Sequence, residues 1–143
     1  MKKVREFHYT IKGYDKAPSA VSKAKDNIRN ANLEDYVTIA EDNFFDTEKQ
    51  SQGKLHMVFN PPYDERLDIH MEEFYKNIGD TLKKGYPGTN AWFITANLEA
   101  LKFVGLKPSR KIKLFNASLE ARLVKYEMYE GSKRTKFQVA DKE

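Results

Sequence analysis

With 143 residues, 40% hydrophobic and 13% aromatic, the chain can bury a real core and is too apolar for disorder. It has no Cys, which excludes disulfides and thiolate metal sites, and no apolar run near the roughly 20 residues a membrane span requires. The net charge of +4 is too mild to name a partner, and no apolar stretch follows the basic start as a signal peptide would, so the expectation is a soluble, cytoplasmic protein.

Tyr9-Thr10-Ile11-Lys12-Gly13-Tyr14 alternates and stops at Asp15, which predicts a short strand. Pro18 suits the first turn of a helix, and Ala17, Ala20, Val21, Ala24, Ile28 and Ala31 follow at helical spacing as a narrow stripe of mostly small residues. Tyr36 to Ala40 reads as the next strand, leading into Glu41-Asp42-Asn43. Residues 44–53 read as a short helix or turn. Leu55-His56-Met57-Val58-Phe59 is almost wholly apolar, the pattern of a strand covered on both faces, and runs directly into Asn60-Pro61-Pro62-Tyr63.

A second helix carries Met71, Phe74, Tyr75, Ile78 and Leu82 on one face, read as core, and ends at Gly85-Tyr86-Pro87-Gly88. Ala91 to Thr95 is another buried strand and Leu98 to Phe103 a short helix. Lys111–Phe115 and Ala121–Tyr129, joined near Asn116-Ala117-Ser118, predict an antiparallel hairpin, and residues 131–143 a polar, basic tail. The order predicts an α/β fold: a mostly parallel, Rossmann-like sheet with a C-terminal antiparallel hairpin.

Asn60-Pro61-Pro62-Tyr63 carries the sharpest chemistry. Two prolines after a strand fix φ twice and remove two donors, so the loop is stiff. In open α/β sheets, ligands bind outside the carboxyl ends of strands. There the Asn60 side-chain oxygen and the Pro61 carbonyl can accept the hydrogens of a planar NH₂ group, while the Tyr63 ring stacks on an extruded base. The bland alternative is a turn that ends a strand. At Asp15, a carboxylate at a strand end can accept from both hydroxyls of a cofactor ribose, or simply cap the helix after it.

Val58-Phe59-Asn60-Pro61-Pro62-Tyr63-Asp64-Glu65-Arg66-Leu67 resembles the NPPY segment of bacterial large-subunit rRNA guanine-N2 methyltransferases, class I enzymes that usually carry an RNA-binding THUMP domain. Gly13–Val21 resembles the family's strand–helix junction and Leu114–Leu123 its terminal hairpin. Asp64 departs from the family's Gly. The resemblance implies methyl transfer from S-adenosylmethionine to an exocyclic base amine, most directly guanine N2 of 23S rRNA. Adenine N6 of DNA or a protein glutamine is the alternative. Asn60, Pro61, Pro62 and Tyr63 would be catalytic; Asp15, Asp42, Asn43, Phe44 and Asn60 would contact the cofactor, Asp42 at the adenine amine with an apolar neighbour on the ring. Asp42 or Asn43 as a plain helix cap is the competing reading.

Glu65 and Arg66 would orient the loop or form a surface ion pair. Lys111, Lys113, Arg122 and the tail read equally as an RNA-contacting stripe or a solvated edge. His8, His56 and His70 are too scattered for a metal site.

The family's Gly-rich cofactor turn precedes the first strand seen here, and none of the seven glycines forms a G-x-G cluster. Residues 1–8 resemble the end of the helix after that turn. Residues 1–130 therefore read as an N-terminally incomplete catalytic domain, expected to bind cofactor weakly or not at all by itself. A non-enzymatic RNA-binding or structural remnant is the reading from another class. The missing strand would be central, so either the strands ending at Asp15 and Phe59 pair directly or a second copy fills the gap as a homodimer.

Overall fold

The computed structural model describes residues 6–63 and 67–130, so the roles expected of residues 1–5, Asp64, Glu65, Arg66 and the tail 131–143 lie outside the described residues. The chain forms two compact units, residues 1–47 and 48–143.

The first unit is a strand–helix–strand motif of β1 (Ile11–Asp15), α1 (Pro18–Asn30) and β2 (Val37–Glu41). β1 and β2 pair in parallel, with Asp15 opposite Glu41. β1 starts two residues later than the alternation predicts, because the ladder opens where the Ile11 amide meets the Tyr36 carbonyl at 2.9 Å. Tyr9 instead packs edge-on against Phe7, with ring centres 5.7 Å apart. Pro18 sits in the first turn of α1, where its missing N–H costs nothing. Of the predicted stripe, Val21 is buried and Ala20, Ala24 and Ile28 half-buried, while Ala17 and Ala31 at the ends are exposed. Asn32 stops the helix in the left-handed region, with Asn32 N–H donating to Arg29 O and Leu33 N–H to Ile28 O.

The second unit contains β3 (Leu55–Phe59), α2 (Ile69–Gly85), β4 (Thr89–Thr95), a 3-10 turn at Ala100–Phe103, β5 (Arg110–Asn116) and β6 (Leu119–Glu127). The sheet order is β3-β4-β6-β5, parallel between β3 and β4 and antiparallel from there on. Asp68 caps α2 by accepting the Met71 amide at 2.9 Å, and Lys83 and Lys84 stand at its negative end. Of the predicted face, the helix buries Met71, Tyr75, Ile78 and Leu82, while Phe74 is half-buried. With Phe93, Val104, Val124 and Tyr126 these side chains make the core, each worth about 1.5–3 kcal/mol of apolar burial. Phe93 stacks between Phe59 and Tyr126, at centroid distances of 4.9 and 5.6 Å.

The reading of β3 as covered on both faces is corrected. His56 is exposed and Val58 is 78% exposed, so the strand has one open face despite its apolar sequence. Within the units, β1 bonds to β2 and β3 to β4, in separate sheets.

Tyr126 is 1% exposed, and its hydroxyl has no hydrogen-bond partner among the described residues. Burial, reinforced by nearby Tyr75, pushes its phenol up to about 12. An unsatisfied buried hydroxyl costs about 1–3 kcal/mol, so Tyr126→Phe, which keeps the ring, should raise stability by about 1 kcal/mol in urea unfolding. A clear loss of stability would mean the hydroxyl is satisfied.

Candidate active site

Beyond Phe59 the chain leaves the ladder, and Asn60-Pro61-Pro62-Tyr63 forms a corner at the carboxyl end of β3. Pro61 is buried, Tyr63 half-buried, and Asn60 and Pro62 exposed. Neither the Asn60 side chain nor the Pro61 carbonyl has a hydrogen-bond partner among the described residues. The corner thus offers two oxygen acceptors and an aromatic ring at the sheet end where α/β folds bind ligands.

The corner is held from below. The Tyr75 hydroxyl of α2 lies 3.3 Å from the Pro62 carbonyl and 2.5 Å from Thr95 Oγ1 at the end of β4. The Asn97 amide donates to the same Thr95 oxygen at 3.1 Å, and Asn97 Oδ1 accepts the Ala100 amide at 3.1 Å. The ends of this chain fix its direction. An amide can only donate and a carbonyl can only accept, so the Thr95 hydroxyl donates to Tyr75 and Tyr75 donates to Pro62. Burial raises the Tyr75 phenol above its ordinary pKa, with the Thr95 bond opposing and nearby Tyr63 adding to the rise, so it stays a donor at neutral pH.

These supporting residues escaped the sequence reading. Helical spacing identified Tyr75 as core, which it is, but spacing cannot show where a hydroxyl points. If the relay aims the corner, Tyr75→Phe and Thr95→Val should each lower kcat about tenfold or more, with KM little changed. Thr95→Ser should keep the rate, and the double variant should be no worse than either single one. Equal damage from Thr95→Ser and Thr95→Val would assign the effect to packing.

In the first unit, the carboxyl ends of β1 and β2 bring Asp15 and Asp42 together. The Asp42 amide donates to the Asp15 carbonyl at 3.0 Å. Asp15 Oδ1 accepts the Ala17 amide at 2.8 Å, so the capping role is real, yet its second oxygen has no partner among the described residues. Asp42 Oδ1 accepts the Asn43 amide at 2.9 Å, and Asn43 Oδ1 caps the turn at Phe44–Asp46 through the Phe45 amide at 3.1 Å. Phe44 is half-buried, with its ring 5.6 Å from that of Phe45. The arrangement is two exposed carboxylates beside an aromatic pair.

A surface depression of about 340 Å³, lined by Lys54, Gly88, Asn90 and Glu127–Glu130, lies at the amino end of β3 and β4, away from the corner. Among the described residues no helix is long and apolar enough to cross a membrane, and no group of three or more His, Asp or Glu residues is placed to hold a metal ion.

The chain is similar to known proteins in sequence and fold. The chain is 30% identical over 129 residues to the ribosomal RNA large subunit methyltransferase K/L of Hahella chejuensis, matching 87% of this chain and 18% of that protein. It is 33% identical over 120 residues to the protein of the same name from Methylococcus capsulatus, matching 82% and 16%. It therefore spans less than a fifth of these relatives. Among solved structures, SMU.472 in complex with SAH superposes with a TM-score of 0.74 at 27% identity, over 85% of this chain and 32% of that one. A Listeria monocytogenes protein, predicted to be an N6-adenine-specific DNA methylase, gives 0.68 at 26%, over 82% and 30%. The fold is thus that of the Rossmann-like methyltransferases, as the element order implied. Residues 1–125 match the model of UPF0020, the RMKL-like methyltransferase domain, and the chain belongs to that family.

Proposed function

We propose that this chain is the amine-holding part of an S-adenosylmethionine-dependent methyltransferase acting on an exocyclic amino group of a nucleic-acid base, with guanine N2 of large-subunit rRNA as the substrate. The observation that carries the reading is the pair of open acceptors, Asn60 Oδ1 and the Pro61 carbonyl, on a proline-stiffened corner beside Tyr63. The names of the curated relatives support ribosomal RNA over DNA.

The chemistry of the corner follows from its oxygens. Two acceptors on the two N–H bonds of an amine hold its lone pair away from the loop, toward an electrophile. As the nitrogen gains positive charge its N–H bonds become stronger donors, so both contacts tighten in the transition state, where they lower the barrier. Tyr63 holds the flat group by its face. The proton lost from nitrogen passes to solvent.

S-adenosylmethionine supplies the methyl group as an activated sulfonium. The residues present fit its nucleoside part: Asp15 offers an open carboxylate oxygen suited to ribose hydroxyls, and Asp42 with Phe44 suits the amine and face of an adenine ring. Asn43, engaged as a cap, contributes through position.

Transfer of tritiated methyl to ribosomal RNA and to duplex DNA by the intact enzyme of which this chain is the amine-holding part, with calorimetry for S-adenosylmethionine, tests the reading. Label in RNA is expected. Label only in DNA moves the substrate to adenine N6, as the Listeria neighbour's name suggests for that protein. No label and no cofactor binding would overturn it.

A further inference from the structure

The β5–β6 hairpin points its tip to the same end of the sheet as the corner. β6 runs antiparallel to β4 with Thr95 opposite Arg122, and Arg122 stands opposite Lys113 of β5. Register partners share a face, so Thr95, Arg122 and Lys113 form one row. Pro61 stands two residues beyond the Phe59–Phe93 pair and Thr95 two residues beyond the same pair, so the row begins level with the corner. At roughly 4.8 Å per strand the corner and β5 are about 14 Å apart, within reach of a few nucleotides.

The same face of the hairpin tip carries Phe115, 63% exposed, with Lys113 Nζ 5.6 Å from its ring centre. Glu120 ties this cluster together, 2.8 Å from Lys113 Nζ and 3.5 Å from Arg122, and the Lys113 bond holds its carboxyl below the ordinary range. Charge is concentrated here. Five cations against Glu120 and Glu127 give residues 110–127 a net +3, out of +4 for the whole chain.

A solvated edge explains lysines but not an aromatic ring left in water beneath one of them. An exposed ring flanked by tethered cations, next to a site that holds one base, has the chemistry that single-stranded nucleic acid requires. We propose that the hairpin tip binds the unpaired nucleotides flanking the target base: Phe115 stacks on a neighbouring base, and Lys113 with Arg122 meets the phosphates. The inference rests on the nucleic-acid reading above and adds where, and in what state, the strand lies.

Fluorescence anisotropy of the full chain with an unstructured RNA of about 12 nucleotides, and with a duplex of equal length, tests this over a salt series. Single-stranded RNA should bind more tightly than duplex. Phe115→Ala should weaken it about tenfold, while Phe115→Trp retains affinity. Lys113→Gln and Arg122→Gln should each lower the salt slope by about one. Phe115 is exposed, so the melting temperature of Phe115→Ala should match wild type and confirm its fold. Unchanged affinity in Phe115→Ala, preference for duplex, or no RNA binding at all overturns the proposal. Because binding is read without methyl transfer, the two readings fail separately. A chain that methylates RNA yet ignores Phe115 loses only the hairpin surface; one that binds through Phe115 without methylating loses only the catalytic reading.

Discussion

In the intact enzyme proposed above, Asn60→Ala should reduce methyl transfer by about 10²-fold or more while leaving the fold intact. The side chain is exposed, bonds to no described residue and lies beyond the last ladder position of β3, so its removal opens no cavity. What is lost is an acceptor whose contact strengthens as the amine nitrogen becomes cationic, and such a contact affects kcat more than KM. Asn60→Asp separates geometry from charge. It keeps an oxygen at the same reach, retains acceptance and should recover part of the rate. Asn60→Ser places its oxygen too short and should not. The measurement is single-turnover transfer of labelled methyl, with urea unfolding as the control. Undiminished turnover in Asn60→Ala would remove the residue from the mechanism and leave the corner with a structural role.

The corner was legible because its chemistry is local. Two prolines after an apolar strand state in four letters that a ladder stops and a stiff loop begins, and the fold class dictates which end of the sheet that is. The hairpin was equally local, and its strands differ from expectation only at their ends, where pairing rather than propensity sets the boundary. What hydropathy could not show was which apolar strand residues are covered. Val58 and Met57 are both apolar, yet Val58 points to the open face of β3 while Met57 is half-buried. Nor can periodicity show polar contacts across elements. Tyr75, Thr95 and Asn97 come from a helix, a strand and a loop, and only folding aligns their hydrogen bonds beneath Pro62.

Gly79 is the other residue whose role only packing shows. In the middle of α2 it costs about 1 kcal/mol relative to Ala by helix propensity alone, which makes Gly79→Ala look stabilising. Packing reverses that sign. A Cβ at this position would lie 1.7 Å from the Val104 carbonyl oxygen and 2.7 Å from its carbon, and those are backbone atoms with no rotamer to escape into. Val104 is 1% exposed and follows the turn at Ala100–Phe103, the segment whose first amide is held by Asn97. To admit the methyl, α2 must move off that segment, and Tyr75 lies one turn away on the same helix. Gly79→Ala should therefore destabilise the chain by about 3 kcal/mol or more in urea unfolding, above the usual range for overpacking. It should also loosen the Tyr75–Thr95 contact, so amide exchange near Asn97 should quicken before global unfolding. Gly79→Ser, with the same Cβ, should be at least as damaging. A stable Gly79→Ala variant would show that the helix and the Val104 segment stand farther apart than 1.7 Å from Cβ to oxygen implies.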